Sequence, residues 1–171
     1  LGKRSSYQKI ERDFYPTPAE AIRSLLPHIP PGATFNEPCA GDGALVRHLE
    51  DAGVPCIGWS DIEPQDPSIR RIDAMNLTNC VGHMFITNPP WSWPVLDPLI
   101  DHLSTIARTW LLLNADLMHN KRMAPHMARC SNVASIGRVK WFGNQTGMEN
   151  SAWYCFERSP CPTIFHARGT A

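Results

Sequence analysis

Ala33-Thr34-Phe35-Asn36-Glu37-Pro38-Cys39-Ala40-Gly41-Asp42-Gly43 decides how this chain folds. Ala33 to Glu37 has the brevity and the apolar content of a strand, and Ala44 to Ala52 puts Leu45, Val46 and Leu49 on one side of a helix that Gly53 stops. A strand that empties through a glycine loop into a helix is the repeating unit of an α/β sheet. Glycines at 41 and 43 let the backbone approach a ligand closely and turn into the helix without a Cβ in the way. No Lys-Ser/Thr pair follows the loop, so it is not a phosphate-binding P-loop. It also lacks dinucleotide spacing and puts acids where a pyrophosphate would sit. A positively charged nucleoside without phosphates fits such a loop, and S-adenosylmethionine is a ligand of that kind.

The rest of the chain extends the same pattern. Pro55 to Ser60 is a second strand, ending at Asp61-Ile62-Glu63-Pro64, so Asp61 lies 20 residues beyond Gly41. From that position a carboxylate reaches ribose hydroxyls in this architecture. Ile69 to Asp73 is a weak third strand, after which Asp73, with Ala74 beside it, is placed to accept from an adenine amine. His83 to Thr87 is a fourth strand, Val95 to Ala107 a helix and Thr109 to Leu113 a buried strand. Leu117 to Arg129 reads as a helix that Pro125 kinks or shortens. Val133 to Phe142 and Ala152 to Glu157 alternate as strands around the loop Gly143 to Ser151. Upstream, Thr17-Pro18-Ala19-Glu20 has the form of a capping box with Pro at the first helical position, opening an amphipathic helix to about His28. The expectation is one doubly wound α/β domain over residues 1–171, with a mostly parallel seven-stranded sheet, an antiparallel terminal strand and a flexible arm over residues 1–12.

The fourth strand runs into Asn88-Pro89-Pro90-Trp91. Two prolines remove two backbone donors and stiffen the loop, leaving carbonyls and the Asn88 amide to face a ligand. Asn88 Oδ1 and the Pro89 carbonyl form an acceptor pair for the two hydrogens of an aromatic amine, and Trp91 offers a face on which the ring can stack. An amine conjugated with a base is a weak nucleophile, and two acceptors on its hydrogens favour the pyramidal form whose lone pair attacks. A Pro-rich turn with a merely packed Trp is the competing explanation of the tetrapeptide alone.

The chain has 171 residues, a length that suits one domain, and a formal net charge of zero. Between residues 36 and 75 eight acids face three arginines, whereas between 115 and 145 five basic residues face Asp116 alone. The acidic part suits a cationic or hydroxyl-rich ligand and the basic part suits phosphates. The six cysteines include no C-x-x-C pair, so free thiols are expected and no metal centre. No apolar run has membrane-spanning length and no signal peptide is visible. The chain begins at Leu1 rather than Met, so its natural start is expected to differ.

Taken together these motifs resemble the class I S-adenosylmethionine-dependent methyltransferases, in particular the amino-methyltransferases of adenine N6 or cytosine N4 in nucleic acids. The likeness runs from Asp13 to about Glu157. Asp13-Phe14-Tyr15-Pro16-Thr17-Pro18 looks like that family's motif ahead of the glycine loop, and implies that Tyr15 and Thr17 close over the methionine end of the cofactor. Glu37, Cys39, Ala40, Gly41, Asp42 and Gly43 match the cofactor loop, Asp61 and its neighbour Ile62 the ribose position, and Asp73 with Ala74 the adenine end. Asn88, Pro89, Pro90 and Trp91 match the catalytic tetrapeptide, with Asn88 also beside the cofactor. The resemblance implies methyl transfer to a base amine, adenine N6 in DNA by motif order, in the cytoplasm of a bacterium or a phage-infected cell. A duplex base would have to be flipped out to reach the loop.

Only about 14 residues follow Glu157, too few for the target-recognition domain common in that subgroup. Specificity is then expected from the 118–130 helix, the 143–151 loop, a second copy or a partner subunit. Trp93, Trp141 or Phe142 is a candidate for the wall opposite Trp91. Lys121, Arg122 and Lys140 are candidate phosphate contacts. Cytosine N4, RNA adenine, protein glutamine and small-molecule methylation stay open, as does a catalytically silent binding module.

Overall fold

The computed structural model describes residues 15–141 and 149–169. The expected N-terminal arm, Asp13-Phe14 of the first motif, Phe142 and most of the 143–151 loop lie outside these residues. The sheet has eight strands: β1 (Phe35–Glu37), β2 (Cys56–Asp61), β3 (Arg70–Arg71), β4 (Met84–Thr87), β5 (Thr109–Asn114), β6 (Cys130–Arg138), β7 (Asn150–Phe156) and β8 (Ile164–His166). Their order is β3-β2-β1-β4-β5-β7-β6-β8. All neighbours are parallel except β7, which runs antiparallel to both β5 and β6. The doubly wound, mostly parallel sheet is the one expected, enlarged by β8. That strand pairs in parallel with β6, so reversed β7 lies inside the sheet and β8 forms the edge.

Alternation along the strands divides the core between two faces. Met84, Ile86, Trp110, Leu112, Trp153 and Cys155 join Leu45, Val46 and Leu49 of α1 (Ala44–Asp51). Leu111, Leu113, Tyr154 and Phe156 face the other way, onto Leu96 and Ile100 of α2 (Trp93–Ile106). Phe85 joins α2 residues Leu99 and Leu103 on that same face. This period-2 division is what a sheet covered on both sides requires.

Three local expectations are corrected. Residues 17–28 form two 3-10 turns, Ala19–Ile22 and Leu26–His28, not one helix. Pro27 cannot donate to the carbonyl four residues back, which breaks the α pattern. Nor is there a capping box: Pro18 is the cap residue with no side-chain bond, and Glu20 Oε1 instead accepts from Lys140 N at 2.7 Å. Residues 115–127 form 3-10 turns Ala115–His119 and Lys121–Met123, then a short helix α3, Ala124–Met127. Asn114 and Asn120 each accept from the amide two residues on, so each restarts the chain, and Pro125 begins α3 rather than kinking a longer helix. Finally, β6 stops at Arg138 instead of reaching Phe142.

Among the described residues no helix is long and apolar enough to cross a membrane.

Candidate active site

Strand order reverses between β1 and β4, since the chain runs outward from β1 to β3 and then returns to β4 on the other side. Such a switch point opens a crevice at the carboxyl ends of the strands. A cavity of about 550 Å³ lies there, within the ~300–1,000 Å³ of ordinary ligand pockets. The ends of β1, β2 and β4, the segment Tyr15–Thr17 and the first turns of α2 all contribute to it.

The glycine loop is held by its own backbone and by Asp61. Gly41 and Gly43 have φ of 55° and 77°, the left-handed region that a Cβ disfavours. Gly43 N donates to Ala40 O at 2.6 Å, and Asp42 Oδ1 accepts from Ala44 N at 3.0 Å to open α1. Asp61 Oδ2 accepts from Gly41 N at 2.8 Å, while Oδ1 accepts from Glu63 N at 2.7 Å. The carboxylate thus ties the end of β2 to the glycine loop, and each oxygen keeps a lone pair for a ligand hydroxyl. Asp73 Oδ1 similarly caps the turn Ala74–Asn76 by accepting from Met75 N at 2.9 Å.

Glu37 stands apart from these three acids. It is 2 % exposed, and its Oε2 has no hydrogen-bond partner among the described residues. Burial, and secondarily the charges of Asp61 and Asp42, push its carboxyl well above the ordinary carboxylate range. Leaving a polar atom buried and unpaired is costly. A cationic group entering the cavity would remove that cost and restore the carboxylate's charge.

Asn88 forms part of the cavity wall with Pro90. Its Nδ2 donates to the Tyr15 carbonyl at 3.2 Å, which fixes the amide orientation. Asn88 Oδ1 and the Pro89 carbonyl receive no donor from the described residues. Pro89 itself is buried behind the wall. Trp91 lies outside the cavity lining, half-buried against the α2-face core. Its Nε1 donates to Leu112 O at 3.0 Å, and its ring meets Trp141 at 5.7 Å and 89°.

Of the expected cofactor residues, Tyr15, Thr17, Glu37, Cys39, Ala40, Gly41, Asp42, Asp61, Ile62, Asp73, Ala74 and Asn88 line one cavity. Gly43 does not: a Cβ there would come within 3.2 Å of Arg47 and 3.4 Å of Trp59, so this glycine serves the turn into α1. Trp93 and Trp141 are also outside the lining. Trp93 packs near His126, with the Arg122 guanidinium 5.9 Å from its ring centroid.

The structure adds Met75, Pro94, Val95, Pro98 and Leu99 to the lining. Pro98 lies inside α2, so the Pro94 carbonyl loses its helical donor beside the cavity. The Pro94/Pro98 spacing was the sequence signal for this. Among the described residues, the lining includes Glu37, Asp42, Asp61, Glu63 and Asp73 but neither Lys nor Arg. That charge pattern repels phosphates and attracts cations.

No protein-family model matches the sequence, and no curated protein matches it significantly. Among solved structures, the chain is similar to a Listeria monocytogenes protein provisionally assigned as a class I S-adenosylmethionine-dependent methyltransferase. The TM-score is 0.56 at 10 % identity, over 89 % of this chain and 62 % of that one. At that identity the likeness is one of fold, and this chain spans 62 % of the other protein's length. The architecture is the Rossmann-like methyltransferase fold.

Proposed function

We propose that this protein is an S-adenosylmethionine-dependent methyltransferase acting on the exocyclic amine of a nucleic-acid base, adenine N6 in DNA before cytosine N4 or RNA adenine. The carrying observation is the joining of two features in one cavity. One is a lining whose charged side chains, among the described residues, are all acids and include buried Glu37 with its Oε2 unpaired, and the other is Asn88, held so that its amide oxygen is unclaimed by the described residues.

The residues present fit the cofactor. Asp61 would hold ribose hydroxyls, Asp73 would accept from the adenine amine, and Ile62, Met75 and Leu99 would offer apolar surface to its ring. Glu37 would take the cationic methionine end, with Tyr15 and Thr17 beside it. When bound, S-adenosylmethionine supplies an electrophilic methyl group on a sulfonium, which a nucleophilic amine takes in a single displacement.

Asn88 Oδ1, in the cavity wall, would accept one amine hydrogen and the carbonyl of Pro89, a buried residue next to it in the chain, the other, which keeps the lone pair on nitrogen out of the ring. Both acceptors bind more strongly as positive charge develops on nitrogen, which lowers the barrier. The Tyr15 carbonyl orients Asn88 before substrate arrives, so little reorganisation remains. The lost proton passes to water, and no side chain is needed as a base. Lys121, Arg122 and Lys140 are all exposed, Arg122 lying over the Trp93 ring and Lys140 preceding Trp141 in the chain, and they would serve as contacts for strand phosphates.

The test is incubation with methyl-labelled cofactor and mixed DNA and RNA, followed by nucleoside mass spectrometry. Labelled N6-methyladenine from DNA is the expected product. N4-methylcytosine or methylated RNA adenine would move the assignment to another base, and no labelled nucleoside would overturn it.

A further inference from the structure

We infer that Trp141 is a positioning residue for this site, a brace that holds Asn88 and Trp91 in their working places without touching the base. The inference rests on the assignment of Asn88 as the amine acceptor. Trp141 packs against the core on the α1 face of the sheet, while Trp91 packs against the core on the α2 face. Their rings nevertheless meet, at 5.7 Å and 89°, beside the β5 carbonyl of Leu112 that receives the Trp91 indole N–H at 3.0 Å. The same Trp141 ring meets Tyr15 at 6.3 Å and 64°. Tyr15 in turn gives its carbonyl to Asn88 Nδ2. Both separations and angles are those of favourable edge-to-face aromatic pairs.

One indole therefore joins the segment that orients the amide to the loop that carries Trp91. Trp141 is itself secured, because Lys140 N donates to Glu20 Oε1 at 2.7 Å, in the turn that follows Tyr15. Perpendicular rings in contact leave no slot for a base between Trp91 and Trp141. Trp141 is thus not the wall opposite Trp91 that the sequence offered, and its influence on the reaction passes through Tyr15 and Trp91. A displacement of about 1 Å in such a site can lower the rate ~100-fold.

The experiment compares Trp141→Ala and Trp141→Phe with the unmodified protein. It measures kcat, KM for cofactor, and exchange of the Trp91 indole proton by ¹⁵N NMR. The Ala variant is expected to lose about 10- to 100-fold in kcat with KM for S-adenosylmethionine within about twofold, and to exchange the Trp91 proton faster. The Phe variant should recover most of the rate, because an aromatic edge is restored. If the Ala variant does not fold, Trp141→Leu, which keeps apolar bulk without a ring, is measured in its place.

Wild-type kcat and wild-type indole exchange in the ringless variant would overturn the brace. So would a loss confined to cofactor KM. An unmodified protein that methylates no nucleic acid overturns the Asn88 assignment instead, and faster Trp91 exchange in the ringless variant would then uphold only the hold of Trp141 on Trp91.

Discussion

The two sides of the cavity are held in place by different means. On the glycine-loop side, Asp42, Asp61 and Asp73 each accept a backbone N–H two residues on, and Asp61 adds Gly41 from the neighbouring strand end. On the tetrapeptide side, Asn88 depends on Tyr15, 73 residues away, and Trp91 on Leu112 and on the edge of Trp141. The first side is built from short loops that organise themselves. The second is assembled only when distant segments meet. Binding of the cofactor should therefore survive damage to the tetrapeptide side, whereas turnover should not.

The largest expected effect tests that separation directly. Asn88→Ala should reduce turnover by more than ~100-fold, the scale for removing one partner of a developing charge. Calorimetry should show cofactor affinity unchanged, and a parallel loss of affinity would mean that the two sides are not independent. Asp61→Ala should do the reverse and weaken the cofactor about 10- to 100-fold, the range for hydrogen bonds to a charged group. Asp61→Asn is not a mild alternative. One of its two backbone donors, Gly41 N or Glu63 N, would face an amide NH2 instead of an oxygen. A melting temperature for Asp61→Asn equal to that of the native protein would show that this junction does not hold the loop.

Glu37 sharpens the comparison through pH. The unfolded chain releases this proton near the ordinary value of 4.5, while the folded carboxyl, raised mainly by burial, keeps it to higher pH. Within that window the folded state binds more protons than the unfolded state. Stability therefore falls as pH rises above about 4.5, until the folded carboxyl itself ionises. Glu37→Gln removes the dependence. Its melting temperature should coincide with that of the native protein near pH 4 and exceed it near pH 7, while its cofactor affinity falls. Equal melting temperatures at both pH values would show that Glu37 carries no such strain. The smallest effect is expected from Trp91→Phe, which deletes the bond to Leu112 O and should cost about 1 kcal/mol in denaturant unfolding. An unchanged midpoint would detach that bond from the stability of the loop.

The same difference explains what could be deduced from the chain alone. That Glu37 through Asp42, Asp61, Asp73 and Asn88 would share one cavity was legible because strand-end loops place them by local geometry. Gly41 and Gly43 also supply a backbone conformation that few other residues adopt. Their separate tasks were less visible, since only packing shows that Gly43 serves α1 and stays out of the cavity. The 3-10 turns were missed because apolar spacing outweighed Pro27 and Asn120, whose caps and missing donors interrupt the helices. Strand β8 was missed because Ile164 and Phe165 remain exposed, so no burial pattern marks a strand that pairing with β6 alone creates. The orientation of Trp91 depends on Leu112 and Trp141, and nothing within the tetrapeptide predicts it.

The central claim is that the acid-lined cavity at the β1/β4 switch point binds a cationic nucleoside, and calorimetric titration tests it most directly. S-adenosylmethionine should bind saturably at one site per chain, and Asp61→Ala should weaken it. Tighter binding of a phosphate-bearing dinucleotide in the same cavity, with no heat from S-adenosylmethionine, would contradict the account.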